Sequence, residues 1–93
     1  MELQYILGIE RLAQTYTRLR EFGKTIYWAE KLLRIDHTWE EAYRLLMFGH
    51  YQLQNRAQSV KWYNKCITVL SDELMIEPMD TTEQMYKMIM SQS

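Results

Sequence analysis

One cysteine, one proline and three glycines are all that these 93 residues hold of the residue types that staple or break a chain. The lone Cys66 has no partner for an internal disulfide and fits a reducing compartment. Scarcity of breakers favours long helices over a sandwich of short strands. No apolar run approaches the roughly 20 residues of a membrane span, and the first residues lack the pattern of a secretory signal. The expectation is a cytoplasmic chain without membrane contact. A surplus of positive charge is missing too: 11 basic residues face 12 acidic ones, for a formal net charge of −1. Nucleic-acid binding normally needs a basic face that displaces counterions from phosphates, so direct nucleic-acid contact by this segment is not expected. Disorder is excluded by 47% hydrophobic against 25% charged residues.

What is present is helical periodicity. The stretch from Trp39 to Pro78 reads as two helices joined at Gln54-Asn55-Arg56. The first carries Trp39, Ala42, Tyr43, Leu46, His50 and Leu53; the second carries Val60, Tyr63, Ile67, Leu70 and Leu74. Steps of three and four put each series on one face, and the nearest cover for each is the other helix, which makes an αα-hairpin. Upstream, a helix over 3–19 has the stripe Tyr5, Ile9, Leu12, Ala13, Tyr16 and Leu19, and a second runs from about Lys24 to Ile35, with Gly23 loosening the turn between them. Thr38 with Glu41 has the form of a capping box for the third helix, and Asn55 with Gln58 that of a similar cap for the fourth. The fourth helix extends through 71–76 before Pro78 ends it. A short fifth helix, capped at Asp80 or Thr81, offers Met85, Met88 and Ile89, with Tyr86 beside them, as an end cover.

Laid along itself with Leu12 over Leu46, the chain matches its own pattern. In that register Leu19 meets Leu53, Trp28 meets Trp62 and Lys31 meets Lys65; large also meets large in Tyr5/Trp39, Ile9/Tyr43, Tyr16/His50 and Leu33/Ile67, and small meets small in Gly8/Ala42 and Thr25/Ser59. A 34-residue helix–turn–helix period is that of tetratricopeptide repeats. The predicted fold is therefore all-α: a tetratricopeptide-like, right-handed stack of two αα-hairpins (repeat 1 about 3–36, repeat 2 about 38–76) closed by a capping helix at about 81–91, all in a single domain. Residues 1–5 already read as helix, so the chain is expected to be a piece of a longer protein.

Several runs resemble a known family. Glu40-Glu41-Ala42-Tyr43-Arg44-Leu45-Leu46-Met47, Asn55-Arg56-Ala57 followed by Trp62-Tyr63-Asn64-Lys65-Cys66, the run LSDELMIEP from Leu70 to Pro78, and Thr82 with Tyr86 are similar to the spaced motifs of the bacterial transcriptional activator domain. Ala29 to Asp36 adds an upstream match, so the likeness covers roughly residues 9 to 90. Three positions depart: His37 replaces a usual Pro, and Gln54 and Met75 stand where Gly ends helices in the family, so those turns are expected to be built differently. The resemblance implies a tetratricopeptide-like module of a bacterial transcriptional regulator. Such modules pack against a winged-helix or response-regulator domain of the parent chain, or pair as a homodimer. The alternative is a free-standing tetratricopeptide scaffold that captures a peptide or protein.

Candidate chemistry is sparse. His37 falls in a turn, and His50 takes the repeat slot of Tyr16, as a core-edge ring with one nitrogen bonded. Cys66 takes the slot of Leu32, a small buried hydrophobe; these three have no zinc spacing. The pairs Glu40-Glu41 and Asp72-Glu73 diverge around their helices and read as solvated face. No catalytic residue, metal ligand or cofactor is assigned, and no enzyme is expected. Trp28 and Trp62 read as packing between repeats, or else as aromatic anchors for a partner. Met75, Met79, Met85, Met88 and Met90 crowd the end of the chain, which suits a loosely packed cover or a plastic contact surface. The protein-binding candidates are non-core positions on the first helix of each hairpin: Glu10, Gln14, Thr17 and Arg18, then Arg44, Phe48, Tyr51 and Gln52. Phe48 and Tyr51 are aromatic yet off the core stripe, which marks them for contact.

Overall fold

A computed structural model describes residues 3–91 as helices joined by short turns: α1 (Leu3–Arg18), α2 (Phe22–Ile35), α3 (Glu40–Gln52), α4 (Arg56–Val69), continued by a π-helical turn at Leu70–Leu74, and α5 (Asp80–Ser91). No strand occurs among the described residues. The first four helices form two antiparallel hairpins, α1/α2 and α3/α4, with α2 laid against α3 and α5 against α3 and α4. The architecture is the all-α, tetratricopeptide-like pair of hairpins with a capping helix.

The repeat is present in the bonding as well as in the side chains. At the end of α1, Arg20 N–H donates to Thr17 O at 3.0 Å and Glu21 N–H to Tyr16 O at 2.9 Å; at the end of α3, Gln54 N–H donates to Tyr51 O at 3.0 Å and Asn55 N–H to His50 O at 2.8 Å. Both are the six-to-one and five-to-two pairs that close a helix over a left-handed residue. That residue is Arg20 (φ 61°) in one turn and Gln54 (φ 65°) in the other. Inside each hairpin a buried hydroxyl reaches the same carbonyl one turn deep in the facing helix. Thr25 Oγ1 lies 3.5 Å from Ala13 O, and Ser59 Oγ donates to Met47 O at 2.7 Å. A paired hydroxyl adds about 1 kcal/mol where an unpaired one would subtract. On the outer helices Lys31 Nζ sits 5.3 Å over the Trp28 ring and Lys65 Nζ 5.4 Å over Trp62. Both tryptophans are half-buried and pack against the main core, but Trp62 also packs against a second cluster that seats α5, whereas Trp28 lines a surface cleft of the first hairpin.

That core joins the repeats. Ile6, Ile9 and Ala13 of α1, Ala29, Leu32 and Leu33 of α2, Ala42, Tyr43, Leu45 and Leu46 of α3, and Cys66 and Leu70 beyond form one cluster. Gly49 permits the close approach of α2 and α3: a Cβ there would stand 3.0 Å from Ile26 Cγ1. A second cluster, Met47, Tyr63 and Ile89 with Tyr51, Met85, Tyr86 and Met88 around it, seats α5. The methionines Met85 and Met88 thus serve as cover, whereas Met75, Met79 and Met90 stay exposed.

Local expectations met mixed outcomes. Asn55 caps α4 as its sequence suggests, with Oδ1 accepting from Gln58 N–H at 3.3 Å. The Thr38–Glu41 capping box does not form. Asp36 Oδ1 accepts both Thr38 N–H (3.0 Å) and Thr38 Oγ1–H (2.6 Å), and α3 starts at Glu40 with no side-chain cap. A short Asx turn outcompetes the longer reach. α2 begins at Phe22, so Gly23 lies in its first turn and the bend is made at Arg20. The stretch expected to extend α4 to residue 76 widens into the π turn and stops at Met75 (φ 55°), and Asp80, expected as a cap, already belongs to α5.

Candidate functional site

Between α1, α3 and α5 lies an open groove of about 480 Å³ lined by Gln14, Thr17, Arg18, Glu41, Arg44, Leu45, Phe48 and Met85. Of the candidates proposed from sequence, Gln14, Thr17, Arg18, Arg44 and Phe48 line it. Helical spacing explains the set, since Gln14, Thr17 and Arg18 step by three and four along α1 while Arg44 and Phe48 do so along α3. Leu45, Phe48 and Met85 supply an apolar floor. Phe48 is held edge-on by Phe22 at 5.9 Å between centroids. Arg18 is exposed at one rim, where its guanidinium donates to Thr15 Oγ1 at 3.1 Å.

The remaining candidates lie outside this lining. Glu10 accepts a 2.7 Å bond from Trp39 Nε1, which ties α1 to the start of α3. Tyr51 packs against the second core cluster, and Gln52 is half-buried at the end of α3. Sequence reasoning missed Glu41, Leu45 and Met85 as lining: it gave Glu41 to a cap and Met85 to the end cover, and it left Leu45 without a role.

Glu40 and Glu41 are not a solvated pair. Their side chains are 10% and 26% exposed, because both serve a network that binds α5. Arg44 bonds Glu41 Oε1 through Nε (2.8 Å) and Nη2 (2.7 Å), and Gln14 Nε2–H donates to Glu41 Oε2 at 3.0 Å. Arg44 Nη1–H donates to Thr82 Oγ1 at 2.8 Å, and Thr82 Oγ1–H donates to Glu40 Oε2 at 2.6 Å. Glu40 Oε2 also accepts Met79 N–H at 2.7 Å, just ahead of α5. Midway along α5, Tyr86 stacks on Tyr63 with centroids 3.8 Å apart and planes 9° from parallel, while Tyr63 Oη–H donates to Glu83 Oε1 at 2.7 Å. At its far end Arg56 donates to the carbonyls of Ile89 and Met90, each at 3.1 Å. Adjacent carboxylates diverge by about 100°, yet here each finds a separate partner on a separate helix.

Two titratable groups outside the network, Cys66 and His50, are packed into the interior. Cys66 is fully buried; burial first, then the Glu40 carboxylate, push its thiol up from 9.0 to about 12. A thiol so protonated at neutral pH is a poor nucleophile. Burial lowers the pKa of His50, with Glu30 opposing, and His50 Nε2 is a buried nitrogen without a partner among the described residues, as is Trp62 Nε1. Exposed His37 meets the Glu73 carboxylate at 2.7 Å across the turn. Among the described residues no group of three or more His, Cys, Asp or Glu is placed to hold a metal ion, and no helix is long and apolar enough to cross a membrane.

Paired hairpins of repeating pattern, an apolar-floored groove and a bonded end helix define a tetratricopeptide-like helical-repeat domain. The chain belongs to the bacterial transcriptional activator domain family, whose model matches residues 1–90. No curated protein and no solved structure matches the chain. The family motifs noted in the sequence now have a physical reading: Glu40, Glu41, Arg44, Arg56, Tyr63, Thr82 and Tyr86 are residues that attach α5 to the second hairpin.

Proposed function

We propose that this domain of a bacterial transcriptional regulator is a non-catalytic protein-interaction module that buries its α1/α3 groove against a second copy or against the winged-helix or response-regulator domain of the parent chain. The observation that carries the reading is the groove itself: an apolar floor of Leu45, Phe48 and Met85 beside a rim that includes Arg18. Apolar centres with polar edges are what protein partners bury, and arginine and aromatics are the side chains most often decisive there. A net charge of −1 supports a protein partner over direct nucleic-acid contact.

Sedimentation velocity tests it, on the chain alone and mixed with the regulator's DNA-binding domain. Arg18→Glu is the cleaner variant because Arg18 is exposed and its one side-chain bond is local; Phe48→Ala tests the floor. Association in either experiment that both variants weaken by roughly tenfold or more supports the groove. Association that neither variant changes, or no association in either mixture up to about 0.5 mM, overturns it.

A further inference from the structure

Between the π turn and α5 the chain displays an apolar and acidic segment. Leu74, Met75, Ile76 and Met79 are all exposed, Met75 by 88%. Asp72, Glu77 and Asp80 stand exposed among them, and no basic residue occurs from Cys66 to Tyr86. Glu73 is engaged by His37, whereas Glu77 makes no ion pair among the described residues. The segment is fixed although uncovered. Ile76 N–H donates to Leu70 O at 3.2 Å behind the left-handed Met75, and Met79 N–H donates to Glu40 Oε2 at 2.7 Å. Held at both ends, it has little backbone freedom to lose on docking.

The α1/α3 groove has the opposite charge left over. Its acid, Glu41, is bonded by Arg44 and Gln14, and Arg44 also meets Glu40 and Thr82, so these charges are satisfied inside the fold. Exposed Arg18 on the rim forms no ion pair among the described residues. Exposed Arg20 lies over the Phe22 ring that supports Phe48, and its neighbour Glu21 is taken by Lys24 at 3.2 Å. Groove and segment adjoin, since Arg44 lines the one and reaches Met79 Sδ of the other at 3.7 Å. Both thus fall within one patch, as a self-complementary contact requires. We infer that the groove takes a second copy of this chain, and that the element inserted is the segment 74–79. Met75 and Ile76 of one copy cover Leu45, Phe48 and Met85 of the other, and Glu77 meets Arg18. This inference rests on the reading of the groove as a contact surface and names what fills it. A DNA-binding domain carries the basic surplus that phosphate contact needs, which suits this rim poorly.

Sedimentation of the whole chain reads the contact, with melting curves to check that each variant is folded. The wild-type chain should self-associate below about 0.5 mM. Glu77→Lys and Met75→Asn change exposed positions, and asparagine tolerates the left-handed backbone at 75, so both should stay folded. Each should weaken self-association roughly tenfold or more, as should Arg18→Glu. Mixed in equal amounts, Arg18→Glu and Glu77→Lys chains should recover association, because every contact between them then pairs unlike charges. A mixture that stays apart overturns the pairing of Glu77 with Arg18 and with it the inference. Self-association weakened by Arg18→Glu and Phe48→Ala but not by Glu77→Lys and Met75→Asn overturns the inference and leaves the groove as a contact surface. No self-association up to about 0.5 mM, with the DNA-binding domain bound instead, does the same. Association that none of these variants changes overturns both readings.

Discussion

Three residues with full side chains, Arg20, Gln54 and Met75, hold the left-handed backbone that glycine adopts without penalty. A side chain there costs about 1–2 kcal/mol, while glycine in its place returns roughly half of that as unfolded-state entropy. Gln54 and Met75 are exposed, and Met75 is 88% so, so their side chains contribute little packing in exchange. Gln54→Gly and Met75→Gly should each stabilise the domain by about 0.5–1 kcal/mol in urea unfolding, with an unchanged m-value. Arg20→Gly should gain less, because Arg20 also lies 5.7 Å over the Phe22 ring. The turns thus keep one backbone shape under different side chains: residue order signalled the departure from glycine at two of these sites, but not that the conformation would persist.

At the scale of elements, α5 is attached by bonds at both ends and a stacked pair between them. Arg44→Ala removes its links to Glu41 and Thr82 and leaves two poorly exposed carboxylates without their cation. The expected loss is about 2–4 kcal/mol. Thr82→Val keeps the volume but not the hydroxyl between Arg44 and Glu40, and should cost about 1–2 kcal/mol. Hydrogen exchange distinguishes a released cover from general unfolding: in both variants the α5 amides should lose protection before those of α1 and α2. This attachment was the least legible part of the fold. Apolar stripes and the repeat period follow from local spacing, so both hairpins and the cover of Met85, Met88 and Ile89 could be read from residue order. Glu40, Glu41 and Arg44 sit at polar helical positions whose partners lie on other helices, far along the chain, and periodicity says nothing about such partners. Phe22 escaped notice for a related reason: Gly23 suggested a break where the helix had already begun.

For the whole molecule, the buried titratable groups set a window of maximal stability. His50 has a lowered pKa in the fold, so its contribution is present above its ordinary value of 6.5 and is lost as pH falls and the unfolded chain takes up a proton. Cys66 and Tyr43 are both raised to about 12, chiefly by burial, from 9.0 and 10.0. Their contribution is complete below those ordinary values and is lost as pH climbs toward 12, since the unfolded chain ionises first. Urea midpoints measured against pH should therefore form a plateau between about 6.5 and 9 with a fall on each side. His50→Phe should flatten the acid side, and Cys66→Ala should soften the alkaline one at some cost in packing. The groove was partly legible at this scale. Its α1 and α3 walls came from helical spacing, whereas Met85 enters only because the fifth helix folds back.

The nearly parallel phenols of Tyr63 and Tyr86, 3.8 Å apart, do more than seat a helix. Chromophores that close exchange excitation, and where their transition moments are skewed the coupling gives a rotational strength that neither ring has alone. The closed domain thus carries its own optical gauge of closure, silent once the last helix lifts and independent of any attached dye.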